Sequence, residues 1–264
     1  MSFPVWENMR SELDEYFEGL KAIRLQDEYL QMVRKRMGIL VDVVWKYTLT
    51  RPGLEIIPTF ADVCIMEPFH ALILDSPPET EITKESIDNL MVQLPELSAE
   101  WNRSNVAMLL QLVPASASLS DPDPADQVVS PLDLATTFFR CSWCTDPITY
   151  PRVLKHSCLM SFHSSVGEDL DDHVLAACHS IGRGTLPWNY GREQVTYDEE
   201  AAEAAKAIVV ACGQDLETIS ASAMDQLDPR VECLRCVHPQ RGRMVMRWRT
   251  AVRMFVALHL DSFE

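Results

Sequence analysis

Cys141 and Cys144 stand two residues apart in the stretch FFRCSWCTDPITYPRVLKHSC, residues 138–158, and His156 and Cys158 close the same stretch. Thiolate and imidazole are the donors that borderline-soft divalent ions prefer. A C-x-x-C on a tight turn aims two sulfurs at one ion, with N–H groups of the turn supporting them. A second pair, Cys233 and Cys236, lies in VECLRC. Segments of strand-like character flank both pairs: TTFFR and ITYPRVL around the first, RVE and RMVMRW around the second. Strand, knuckle, strand is how half of a zinc ribbon or treble clef is built, so zinc is the expected cofactor. Two ligand sets are open. Cys141, Cys144, Cys233 and Cys236 can share one ion, although residues 145–232 separate the pairs and a compact ribbon needs only about 15–20. Alternatively Cys141, Cys144, His156 and Cys158 close a site within the first stretch, since ligands two apart on a strand project to the same side. The second pair then needs other partners, with His238 and His259 the nearest candidates.

Other reactive residues carry less. A redox C-x-x-C opens a helix after a strand, and Pro147 and Pro151 oppose a helix after the first pair. Cys64, Cys178 and Cys212 read as core residues. Cys178 and His179 lack a third member that would make a nucleophile and base of them. His163, His173 and His179 lie among Asp169, Asp171 and Asp172 without an H-E-x-x-H or H-x-E spacing, and read as solvated surface. With no paired carboxylates or activated nucleophile in view, the reading is of a protein that is not an enzyme.

The 264 residues carry 39 acids against 23 bases, a formal net charge of −16. Such a surface repels phosphate backbones, which disfavours non-specific nucleic-acid binding by the whole protein. The charge is uneven. Arg241, Arg243, Arg247, Arg249 and Arg253 fall between Pro239 and Leu260 with no acid among them. They either offset nearby thiolates and acids or, in a sharper reading, Arg241, Arg243, Arg247 and Arg249 contact nucleic acid or an acidic partner. Trp188-Asn189-Tyr190-Gly191 is either a recognition loop or a plug onto the neighbouring fold. No apolar run approaches the roughly 20 residues that span a bilayer, and MSFPVWENMRSELDEYF lacks the basic and apolar regions of a signal peptide. No membrane association is expected. Eight cysteines in that setting read as thiols or ligands rather than a disulfide framework, in the cytoplasm or nucleus.

The elements that must position the cysteines are α+β and mainly helical. Apolar residues at helical spacing cover residues 6–20 and 29–47, as two helices or one long one, with a turn at Pro52-Gly53. Short helices follow, then a helix pair with Thr83 as N-cap of the first and a second over about 95–112. Residues 114–131, PASASLSDPDPADQVVSP, form a flexible acidic linker. It divides a helical domain, 1–113, from a zinc-ribbon or treble-clef-like α+β domain, 132–264. Within the latter we expect a helix starting at Ser130-Pro131, a helix over 198–212 closed by Gly213, a short helix over 221–227, a hairpin turning at Gly242, and a last helix over 249–260.

PLDLATTFFRCSWCTDPITYPRVLKHSC, WNYG, DEEAAEAAKAIVVACG and VECLRCVHPQRGRMVMRWRTAV together resemble a group of uncharacterised cysteine-rich proteins of mushroom-forming (basidiomycete) fungi, often catalogued as F-box-like or hypothetical. The resemblance covers residues 86–259, with the two cysteine pairs its most specific part. It implies an intracellular place and no established reaction. The leucine-proline start of an F-box is missing at the N-terminus. The expectation is therefore a non-enzymatic, zinc-stabilised protein-interaction module. A nucleic-acid-associated regulator acting through the arginines comes second, and a ubiquitin-pathway adaptor third.

Overall fold

A computed structural model describes residues 3–53, 55–114, 129–161, 185–191, 193–238 and 242–260; the side chains of 3–8, 145, 235–238 and 258–260 lie outside the description. The chain divides into two compact units, Met1–Leu97 with Phe162–Pro187, and Ser98–Ser161 with Trp188–Glu264. The division falls inside a helix, whereas the sequence suggests a boundary at 114–131, of which 115–128 lie outside the described residues.

The first unit is helical. The two periodic stretches are one helix, α1 (Phe3–Leu49). Gly19 and Gly38 sit within it with open space around them, so neither breaks it. Its second half buries Val33, Met37, Leu40 and Val44 against Phe69, Ile73, Ile87 and Leu94. Those partners come from α2 (Phe60–Cys64), α3 (Glu67–His70) with a π-helical turn over Ala71–Asp75, α4 (Lys84–Met91) and the start of α5 (Leu94–Leu112). Thr59 caps α2 in a reciprocal box with Asp62, and Thr83 caps α4 by accepting from the Ser86 N–H, as its sequence predicts. Arg36 is 4% exposed. Its guanidinium donates to the carbonyls of Ile73, Ser76, Pro77 and Thr80 at 2.6–3.1 Å. These carbonyls end the π turn and the loop after it, so one buried cation satisfies acceptors that the helix leaves open. Cys64 is buried in this core, as expected of it.

The second unit is built on two antiparallel sheets. In the first, β1 (Phe139–Cys141) is central, between β2 (Cys144–Ile148) and β3 (Val195–Tyr197). In the second, β4 (Arg230–His238) pairs with β5 (Gly242–Arg247). α6 (Glu199–Ala211), α7 (Ala221–Leu227) and α8 (Trp248–Leu260) belong to it, as does α5 from Ser98 onward. Asp198 caps α6 by accepting from the Ala201 N–H, and Gly213, at φ 68°, ends it in the left-handed region that glycine adopts freely. Buried Ala201, Ala204 and Ala205 give α6 a small-residue face against which Trp248, Val252 and Val256 of α8 pack. The ring of Trp248 meets Phe138 edge-on at 6.1 Å, and its Nε1 donates to Asp225 at 2.9 Å.

The helix expected from Ser130-Pro131 does not form; residues 131–138 run as turns with a bridge from Leu134 to Ser220. The backbone of this stretch bonds to another segment instead. The Ala135 N–H donates to the Ile219 carbonyl and the Asp133 carbonyl accepts from Ala221. The mixed, mainly helical α+β class stands, with the cysteine and histidine cluster in the C-terminal half.

Candidate metal centre

Cys141 ends β1 and Cys144 opens β2, directly opposite one another across a turn of two residues, Ser142 and Trp143. Phe139 and Cys141 both point into buried surroundings while Arg140 points out, the alternation a half-buried strand requires. The Trp143 N–H donates to Cys141 Sγ at 3.4 Å, and the Ser142 N–H donates to the Gln194 carbonyl at 2.9 Å, which ties the turn to the segment before β3. Arg140, next to Cys141, donates to Asp198 at 2.9 Å and to Glu200 at 2.8 Å. Asp198 is fully buried in its side chain, so the strand carrying Cys141 is fastened to the first turn of α6 through a charge-assisted bond.

The other two donors come from irregular backbone. After β2 the chain makes two short 3-10 turns, Arg152–Lys155 and Ser157–Met160, with His156 at their junction. The sequence suggests a strand here. Buried Val153, Leu154 and Leu159 instead hold two tight turns against the core, and the turns bring His156 and Cys158 round to the hairpin. Two bonds from the 188–191 loop lock them there: Trp188 Nε1 donates to the Val153 carbonyl at 2.8 Å, and the Asn189 N–H to the Leu159 carbonyl at 3.0 Å. Trp188 is 6% exposed and Asn189 is 2% exposed. The aromatic loop is thus a plug supporting the ligand segment, the plainer of its two sequence readings. Trp188 and Asn189 are the positioning residues whose role sequence reasoning did not assign.

The Sγ atoms of Cys141, Cys144 and Cys158 and a ring nitrogen of His156 all lie within 4.8 Å of one another. Cys144 Sγ and His156 Nε2 are 3.2 Å apart. Ligands about 2.0–2.3 Å from a tetrahedral ion stand roughly 3.5–3.8 Å from each other, so the four atoms need only small shifts to surround one. Three thiols and one imidazole are a donor set for a borderline-soft ion, and four protein ligands leave no open position for a substrate. Cys141 is buried and the other three are half-buried, so the site is shielded on the side of the core.

Burial dominates the electrostatics. It pushes the Cys141 thiol up to about 11, with neighbouring thiols adding to the effect. It also raises Cys158, again with help from Cys144, and lowers His156. A neutral imidazole is the form that ligates a metal. The two raised thiols must give up protons when a cation arrives, and the cation then supplies the charge that burial otherwise lacks.

The second pair is placed differently. Cys233 and Cys236 lie within β4, not on a turn between strands. Glu232 pairs with Val245 and Val237 with Arg243, so residues 233–236 stand opposite the single residue Met244. This is an enlarged bulge. Cys233 lies outside the four-residue cluster and lines an apolar groove of about 380 Å³ with Val231, Met246, Ile208, Met254 and Phe255. The side chains of Cys236, His238 and His259, and all of Cys178, His163, His173 and His179, lie outside the described residues. Cys212 is half-buried against the second unit's core.

The arginines pair within the unit. Arg243 meets Glu232, Arg247 meets Asp228, Arg249 meets Asp225 and Arg253 meets Asp146, at 2.7–3.5 Å. Arg249 also donates to Thr149 and lies over the Trp248 ring, 4.5 Å from its centroid. Arg241 lies outside the described residues. Among the described residues no helix is long and apolar enough to cross a membrane. No family model, curated protein or solved structure matches this chain, so its site stands on its own geometry.

Proposed function

We propose that the second unit is a zinc-stabilised, non-enzymatic module that presents a folded surface to a protein partner inside the cell. The observation that carries this reading is the convergence of Cys141, Cys144, His156 and Cys158 on one point from a hairpin and two 3-10 turns. Zinc is the ion that best suits three thiolates and an imidazole in a closed tetrahedral set. A closed site adds folding free energy rather than chemistry, and here it would join β1 and β2 to a segment that has no ladder bonds of its own. Reduced thiols suit the cytosol or nucleus.

The arginine segment favours the structural role over nucleic-acid contact, because four of its five arginines already face carboxylates of the same unit. The test is elemental analysis of the purified full chain together with cobalt substitution. One zinc per chain, and the visible spectrum of a tetrahedral cobalt–thiolate centre on exchange, is the expected result. A chain that folds fully with no metal, or that binds only iron, overturns it.

A further inference from the structure

Over residues 9–28, α1 buries no side chain. Every residue from Met9 to Glu28 is exposed, and packing begins only at Tyr29. Yet this segment is not polar all round. Met9, Leu13, Tyr16, Phe17, Leu20 and Ile23 are each 42–61% exposed. With Trp6 and Leu30 they continue a spacing of alternate threes and fours: 6, 9, 13, 16, 20, 23, 27, 30. That is a heptad repeat, with Trp6, Leu13, Leu20 and Asp27 at a and Met9, Tyr16, Ile23 and Leu30 at d.

The stripe runs on into the face that packs on the unit's core: Met37 and Val44 fall at d of the same register and are buried there. The core covers this seam only beyond Tyr29, and its first half is left exposed. An amphipathic helix in water is held mainly by what its apolar face packs against, and Gly19 costs this one about a further 1 kcal/mol relative to alanine.

We propose that residues 6–30 of α1 pair with the same segment of a second copy in a parallel, two-stranded coiled coil. A repeat of 3.5 residues is matched by another helix with the same repeat, whose side chains drop into the holes between its own. The six exposed side chains offer on the order of 600 Å² per helix, so a pair removes on the order of 1,200 Å² from water, the size at which stable interfaces begin. A contiguous apolar stripe of about 600 Å² stands at the upper end of what a monomer ordinarily leaves uncovered, the size range in which patches are often functional.

Charge fits the pairing. Glu7, Asp14, Glu15, Glu18 and Glu28 fall at the outer b, c and f positions, where Arg10–Asp14, Lys21–Glu18 and Arg24–Glu28 pair along each helix. Beside a parallel seam, g positions meet e positions of the partner: Glu12 meets Phe17 and Gly19 meets Arg24, with no like charges opposed. An antiparallel seam sets Arg10 against Arg24. The one like-charge meeting in the parallel arrangement is Asp27 with its copy, at the end of the seam. The proposal is independent of the metal, which belongs to the other unit.

Sedimentation equilibrium of the metal-loaded full chain tests it. Wild type should be a dimer at about 50 µM, Leu13→Asp with Leu20→Asp should raise Kd at least about a hundredfold, and Asp27→Leu should lower it about tenfold. A cooperative thermal melt of the first unit, kept in the variants, shows that they fold. A wild-type monomer at that concentration, with the stripe covered by another part of its own chain, overturns the proposal. So does a double variant that still dimerises, or an Asp27→Leu chain whose Kd does not fall.

Discussion

The two C-x-x-C pairs have the same spacing and different fates. Cys141 and Cys144 straddle a two-residue turn between paired strands, with a third and fourth donor delivered by the chain that follows. Cys233 and Cys236 ride on a bulge within one strand, and Cys233 faces the apolar side chains of α6 and α8. The spacing sets how two sulfurs relate to each other. It does not set what else comes near. At the first pair, Val153, Leu154 and Leu159 pull the next segment inward, and His156 and Cys158 come with it. Around Cys233, the described side chains include exposed Leu234, Met244 and Val245, which supply apolar surface, while those of Cys236 and His238 lie outside the described residues.

The largest effect should separate the pairs outright. Cys144→Ser leaves a two-cysteine, one-histidine set, and we expect loss of the ion and of the second unit's cooperative melt, a cost of several kcal/mol. Cys233→Ser should keep one ion per chain and shift stability by less than about 1 kcal/mol. Metal content and thermal unfolding followed together check both. If Cys233→Ser also releases the ion, the two pairs share it and the distinction drawn here collapses.

The local site was readable because all of its ligands fall within residues 141–158 of the sequence, and the donors alone name the class of ion. What placed His156 and Cys158 was not readable as such. A strand was expected from their spacing, but the burial of Val153 and Leu159 and the clamp from Trp188, some thirty-five residues away, fold the segment into turns. Long-range contacts of that kind overrode local pattern again at 131–138, where a sound N-cap sequence lost to backbone bonds with Ile219 and Ala221. By contrast α6, α7 and α8 match their sequence signals within a residue or two, since α6 and α7 carry their own caps and all three an apolar face. The bulge at Cys233 could not be read at all, because alternation in VECLRCVH is the same whether or not the partner strand keeps register.

A smaller effect concerns protons. Burial holds the Cys141 thiol at about 11 and raises Cys158, so both are protonated at neutral pH before metal binds, while lowered His156 is already neutral. Each of these two thiols releases a proton on ligation, so apparent affinity should rise with pH, by about tenfold per unit for each. It should fall as the solution is acidified. Competition with a chromophoric chelator between pH 6 and 8 measures the slope. A flat profile means that these two thiols are not ligands.

Smaller again is the effect of the clamp. Trp188→Phe keeps the ring near Trp101, 6.4 Å away in the native fold, but removes the N–H that donates to the Val153 carbonyl. One neutral hydrogen bond to a buried acceptor is worth about 1–2 kcal/mol. We expect metal affinity to fall about tenfold, with the cobalt spectrum unchanged, because the ligands stay the same and only their placement loosens. An unaltered affinity shows that Val153, Leu154 and Leu159 hold the turns without Trp188.

The smallest change in stability, and the most local contrast, lies at Cys233. A thiol that ligates an ion is shielded from alkylation until the ion is removed, whereas one that lines an open groove reacts whether or not metal is present. Brief treatment of the native chain with iodoacetamide, read by peptide mass spectrometry, should therefore modify Cys233 early and spare Cys141, Cys144 and Cys158. A chelator should expose those three while leaving the rate at Cys233 nearly unchanged, since Cys233 lies outside the four-donor cluster and lines a groove with Ile208, Met246 and Phe255. If chelation speeds Cys233 as much as the others, its groove depends on the ion after all, and the hairpin β4–β5 must be counted among the elements that the metal holds in place.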